Sequence, residues 1–225
     1  MTPIQLKAHS QLNPLDELTA FCVVTGLATA RADEERLTEL ARGLVDADEA
    51  KVVAGFEVVL QTHLFAGFPK TIFALRLFQE LGVSVPDGLK DGREDSVVLS
   101  DGEALCSQIY GSAYNRLREM MASLHPEFDQ WMVMTGYGRV LSRRGLEARQ
   151  RELAVLPVLA DQRAWPQLES HAAGAVRCGA SSTEVQTTKY DTTDSLSYTE
   201  VKYDDKDLET EASYFGVTGD EYVVR

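Results

Sequence analysis

The chain has 225 residues, 44% of them hydrophobic and 25% charged, which permits a real core in one large domain or two small ones. The formal charge of −13 repels phosphate backbones and argues against a nucleic-acid partner, while its plainest consequence is solubility. No run approaches the roughly 20 apolar residues of a membrane span, and the polar start lacks the layout of a signal peptide. The sparse cysteines Cys22, Cys106 and Cys178 suit a reducing compartment, so a cytoplasmic protein without a membrane partner is expected.

Residues 1–14 read as an N-terminal arm. From Leu15 to about Gly179 apolar residues recur at spacings of three and four, the pattern of helices packed on one face. Leu37, Leu40, Ala41, Leu44 and Val45 form one stripe, opened by Asp33-Glu34-Glu35, whose carboxylates favour the positive end of a helix. Val52, Val53, Phe56, Val59, Leu60 and Leu64 form the next, capped by Asp46 or Asp48. Pro69 suits a first helical turn, and Gly82 followed by Pro86 suits a helix exit. Pro86-Asp87-Gly88, Asp91-Gly92 and Asp101-Gly102 are turn signals, so residues 83–111 read as a linker. Leu117, Met120, Met121 and Leu124 open a second helical stretch. Pro157 falls inside the apolar run Leu153–Ala160 and should kink or restart that helix. Leu168, Ala172, Ala175 and Val176 form the last stripe. From Gln186 the chain turns acidic, with 4 basic and 10 acidic residues. Residues 197–203 alternate as a half-buried strand would, and a hairpin is expected around Thr218-Gly219-Asp220. The expected fold is all-α, with helical repeats over residues 15–82 and 112–185 and an acidic, partly extended tail over 186–225.

Two stretches invite comparison. Setting Gly43 of Thr38–Val45 on Gly174 of Glu169–Val176 puts Leu40 on His171 and gives both helices a small residue at one point, where another helix can approach. The second half carries Gly145-Leu-Glu-Ala-Arg-Gln-Arg-Glu-Leu153, then Trp165-Pro-Gln-Leu-Glu-Ser-His171, then Gly174–Gly179. The first half carries Glu57–His63 and then Leu64-Phe-Ala-Gly-Phe-Pro69. Together these motifs resemble the carboxymuconolactone decarboxylase and alkylhydroperoxidase D superfamily: the second half is similar to its arginine-rich helix start and histidine helix, the first to its aromatic-Ala-Gly-Phe-Pro step.

The resemblance implies a cofactor-free lyase acting on a small carboxylated, lactone-type metabolite. It implies a homo-oligomer built through helices. Arg151, with Arg149 beside it, would hold the substrate carboxylate through a forked pair of hydrogen bonds. His171 or His63 would move the proton, and Phe65 and Phe68 of the aromatic step would line the substrate. No metal or cofactor is required for this chemistry.

The residues themselves leave alternatives open. His171 shares a stripe with Leu168, Ala172 and Ala175, and His63 continues Phe56, Val59 and Leu60, so each is also readable as a satisfied core histidine. Glu169 and Glu57 face away from these histidines on their own helices. Arg151 and Glu152 begin an apolar helix, where a salt bridge is the plainer role. Trp131, Met132, Met134 and Tyr137 suit helix packing better than a pocket lining. The redox branch of the superfamily needs Cys-x-x-Cys, which this chain lacks, so a peroxidase-type antioxidant is disfavoured. A degenerate, non-catalytic interaction protein is the remaining alternative.

Overall fold

The computed structural model describes residues 14–190, and among these the chain is helical throughout, without a strand. The elements run α1 (Glu17–Arg31), α2 (Glu34–Val45), α3 (Glu49–Ala66), α4 (Phe68–Glu80), α5 (Asp95–Tyr110), α6 (Tyr114–Leu124), α7 (Pro126–Trp131), a π-helix (Met132–Leu141), α8 (Ala148–Asp161), α9 (Trp165–Arg177) and α10 (Ser182–Tyr190). No described helix is long and apolar enough to cross a membrane.

Aspartates start the first three helices. Asp16, Asp33 and Asp48 each accept a hydrogen bond from an amide three residues on, those of Thr19, Arg36 and Lys51. This satisfies one of the orphan donors of a first helical turn. Pro69 sits in the first turn of α4, and Gly82 follows its end at φ +84°, a left-handed conformation that favours glycine. The helix α8 runs continuously through Pro157.

The core is arranged around α8, every residue of which from Gln150 to Ala160 is buried. It packs on α1, α3, α9 and α10. One apolar cluster fills the space among α1–α4 with Phe21, Leu37, Leu44, Phe56 and Phe78. A second joins α8 to α9 and α1 through Leu153, Leu156, Leu168 and Val23. A third, around Cys106, Ile109, Leu117 and Tyr137, lies among α5, α6 and the π-helix.

Three expectations change. Residues 83–111 are not a linker throughout, because Asp95–Tyr110 form a full helix packed on the π-helix and α9. Asp101-Gly102 is therefore no turn. Gly102 lies within α5 because backbone presses on it: a Cβ there would stand 2.6 Å from the Val133 carbonyl oxygen and 2.8 Å from Gly138. The paired glycines also part company. Gly174 faces Ile109 and Glu152 closely, whereas nothing lies within 4 Å of a Cβ on Gly43. Finally, helix continues past 185 to Tyr190, while the rest of the tail, including the strand of 197–203 and the hairpin near Thr218, lies outside the described residues, as do residues 1–13 of the arm.

Gly102→Ala tests the α5 contact. Backbone neighbours cannot rotate aside, so overpacking of about 1–3 kcal/mol is expected as a lower urea midpoint. An unchanged midpoint would show that the two helices do not meet at Gly102.

Candidate functional site

The helix α8 carries two adjacent charges, Arg151 and Glu152, each only 1% exposed. Charges this deep must be paired and hydrogen-bonded. Successive helical residues point about 100° apart, so the two reach different partners.

Arg151 turns toward α3. Its Nη2 donates to Glu57 at 2.8 Å and to the Arg143 carbonyl oxygen at 2.9 Å, and its Nη1 donates to Gln61 at 3.2 Å. Glu57 is wholly buried and also accepts from Nε and Nη2 of Arg143, at 3.0 and 2.8 Å. Burial lowers the Arg151 guanidinium pKa below its ordinary range, and the Glu57 carboxylate opposes that. The Nε of Arg151 is buried without an acceptor among the described residues.

Glu152 turns toward α9. Its Oε2 lies 2.8 Å from Nδ1 of His171. An ionised carboxylate only accepts, so beside an ionised Glu152 it is Nδ1 of His171 that donates. No group among the described residues bonds Nε2, and the His171 side chain retains 7% exposure. The Phe65 ring stands edge-on to the imidazole at 5.5 Å, and Tyr110 lies at 6.5 Å. Tyr137 of the π-helix donates its hydroxyl to that of Tyr110 at 3.1 Å. Burial pushes both phenols above their usual range, so they stay neutral donors. The π-helix is a rare form frequent at functional sites, and here it carries Tyr137 into the core.

The remaining expected residues fall elsewhere. His63 is half-buried; its Nδ1 meets the Leu60 carbonyl oxygen at 2.5 Å and its ring lies 4.9 Å from Phe68. These contacts share no residue with those of His171. Phe68 is 67% exposed on α4. Arg149 donates to Asp16 at 2.7 Å and pairs with Glu184, tying α8 to α1 and α10. Of the aromatic segment 131–137, Tyr137 is core and Trp131 is 59% exposed. A cleft of about 430 Å³ opens beside Glu57, between the loop Asp87–Arg93 and the turn Arg143–Gly145, and His171 does not line it. No cluster of histidine, cysteine and carboxylate groups able to hold a metal occurs among the described residues.

Glu152 is the partner that sequence reasoning missed. A glutamate leading directly into the apolar run Leu153–Ala160 was its signal, since a charge buried there requires an internal partner.

No family model, curated protein or solved structure matches the chain.

Glu57→Gln leaves two arginines facing a neutral amide. Breaking a buried pair on one side costs about 3–5 kcal/mol, expected as a lower urea midpoint at constant m; a loss below about 1 kcal/mol would mean that this pairing does not hold α8 to α3. The cysteines give a second test. Burial pushes the Cys22, Cys106 and Cys178 thiols up from 9.0 to about 12. A raised native pKa favours the protonated form, so the stability it adds is full below pH 9 and fades as pH rises toward about 12. At pH 8 a chromogenic disulfide reagent should modify the native thiols slowly and the urea-unfolded thiols at once. One rapidly reacting native thiol would reopen a redox role.

Proposed function

We propose that the chain is a carboxymuconolactone decarboxylase-like protein in which Glu152 and His171 form a proton-transfer dyad acting on a small carboxylated, lactone-type substrate. The observation that carries this reading is the 2.8 Å approach of a buried carboxylate to Nδ1 of a histidine whose Nε2 no described residue bonds. Such a pair fixes the imidazole tautomer and stabilises the imidazolium.

In the proposed step the bond from the substrate to its carboxylate breaks and carbon dioxide leaves. The electron pair passes into an enolate conjugated with the lactone carbonyl. Nε2 of His171 first takes a proton from solvent, and the imidazolium so formed gives that proton to the enolate carbon, which returns the ring to its neutral state. Glu152 remains ionised throughout and balances the imidazolium charge. Arg151 is unsuited to grip the substrate directly, since its Nη atoms already serve Glu57, Gln61 and the Arg143 carbonyl. Assembly into a homo-oligomer belongs to the same proposal, supported by Phe68 and Ile72, which lie one turn apart on α4 at 67% and 50% exposure.

A second reading, a non-catalytic interaction protein, is favoured by one observation: the cleft beside Glu57 does not reach His171, and Phe65 and Tyr110 stand over the imidazole.

Incubation with a carboxylated muconolactone separates the two, with carbon dioxide release and loss of the acid as readouts. The enzyme reading expects turnover that falls about 10²–10⁴-fold in His171→Asn and in Glu152→Gln, with the helical circular-dichroism signal retained. Absence of turnover in the wild type favours the interaction protein, and full turnover in either variant overturns the Glu152–His171 dyad.

A further inference from the structure

The cleft beside Glu57 is unused by the dyad, and its chemistry differs from the rest of the surface. Its lining holds four cations, Lys90, Arg93, Arg143 and Arg144, against three acids, Glu57, Asp87 and Asp91, a balance of 4 − 3 = +1 on a chain of net charge −13.

The pairing within the cleft is uneven. Glu57 is committed to Arg143 and Arg151. Asp91 and Arg93 are committed to each other through paired bonds of 3.0 and 2.9 Å. Lys90 and Arg144 are exposed and form no ion pair among the described residues. Arg143 donates Nε and Nη2 inward to Glu57 and the Leu89 carbonyl oxygen, which leaves Nη1 without an acceptor among the described residues. Three donor groups of positive side chains therefore line one concavity, with Asp87 as the single acid there that has no cation partner.

The walls are held in place before any ligand arrives. Arg93 bonds Asp91, Asp101 of α5, and the Gly138 carbonyl oxygen and Ser142 at the end of the π-helix. Arg143 bonds the Leu89 carbonyl oxygen at 2.5 Å. Gly145, at φ +101°, lets the turn close on the floor, where a Cβ would stand 2.7 Å from Val53 Cγ1. The loop and turn that frame the cleft are thus preformed, and the ordering cost of binding falls on the Lys90 and Arg144 side chains.

We infer that this cleft binds a small organic molecule carrying a doubly charged oxyanion, gripped by Lys90, Arg144 and Nη1 of Arg143. Guanidinium and ammonium donors suit carboxylate and phosphate oxygens alike. The cleft volume of about 430 Å³ fits a metabolite rather than a polymer. The site stands on its own residues, so it survives or fails independently of the Glu152–His171 dyad.

Calorimetric titration of the full chain with inorganic phosphate and, separately, with succinate tests this. Saturable one-to-one binding of at least one probe is expected, weakened about tenfold or more in Lys90→Ala/Arg144→Ala. Both side chains are exposed, so that variant should fold as the wild type does. Arg42→Ala, an exposed cation on α2, should bind the probe unchanged. Binding of phosphate alone assigns a phosphate ester, and binding of succinate alone a dicarboxylate. No saturable binding of either probe, or equal binding by the double variant, overturns the site.

Discussion

The architecture depends on one constraint: α8 is buried along its length yet carries opposite charges at consecutive positions. Neither charge has water to solvate it, and each alone would be costly in the interior. Because neighbours on a helix diverge by about 100°, the two cannot neutralise one another. Each must find a partner on a different helix. Arg151 takes Glu57 of α3 and Glu152 takes His171 of α9. The two pairs therefore tie α8 to α3 and to α9 at defined positions along each helix.

The same constraint orders the chemistry. On the α3 side, one carboxylate is shared between two guanidiniums, so the group is saturated and structural. On the α9 side, a single carboxylate meets a single imidazole, leaving one ring nitrogen unspent. An unspent nitrogen beside a fixed carboxylate is what proton transfer requires. The cleft lies at the outer end of the saturated side, where Arg143 reaches out from Glu57 and keeps one donor for the solvent.

Much of the helical framework was legible in the sequence because its causes are local. Asp33, Asp48, Pro69 and Gly82 mark helix ends through backbone requirements confined to a few residues. His171 on its apolar stripe was legible as buried for the same reason. What failed was tertiary. Gly102 and Asp101 have the composition of a turn, but the glycine is there because the π-helix backbone passes close by, a fact with no local trace. Glu152 and His171 stand 19 positions apart and Glu57 and Arg151 stand 94 apart, so periodicity within one helix says nothing of their meeting. The π-helix was hidden too, because the three-and-four spacing that marks α-helices carries no signal for a short segment bonded i→i+5.

Nitrogen-resolved imidazole spectra at alkaline pH, where a neutral ring shows its tautomer, address the dyad without any substrate. Pairing with an ionised Glu152 predicts the hydrogen of His171 on Nδ1 and a lone pair on Nε2, with that preference lost in Glu152→Gln. An Nε2–H tautomer in the wild type, or a spectrum indifferent to the substitution, would contradict the pairing that orients α9 on α8.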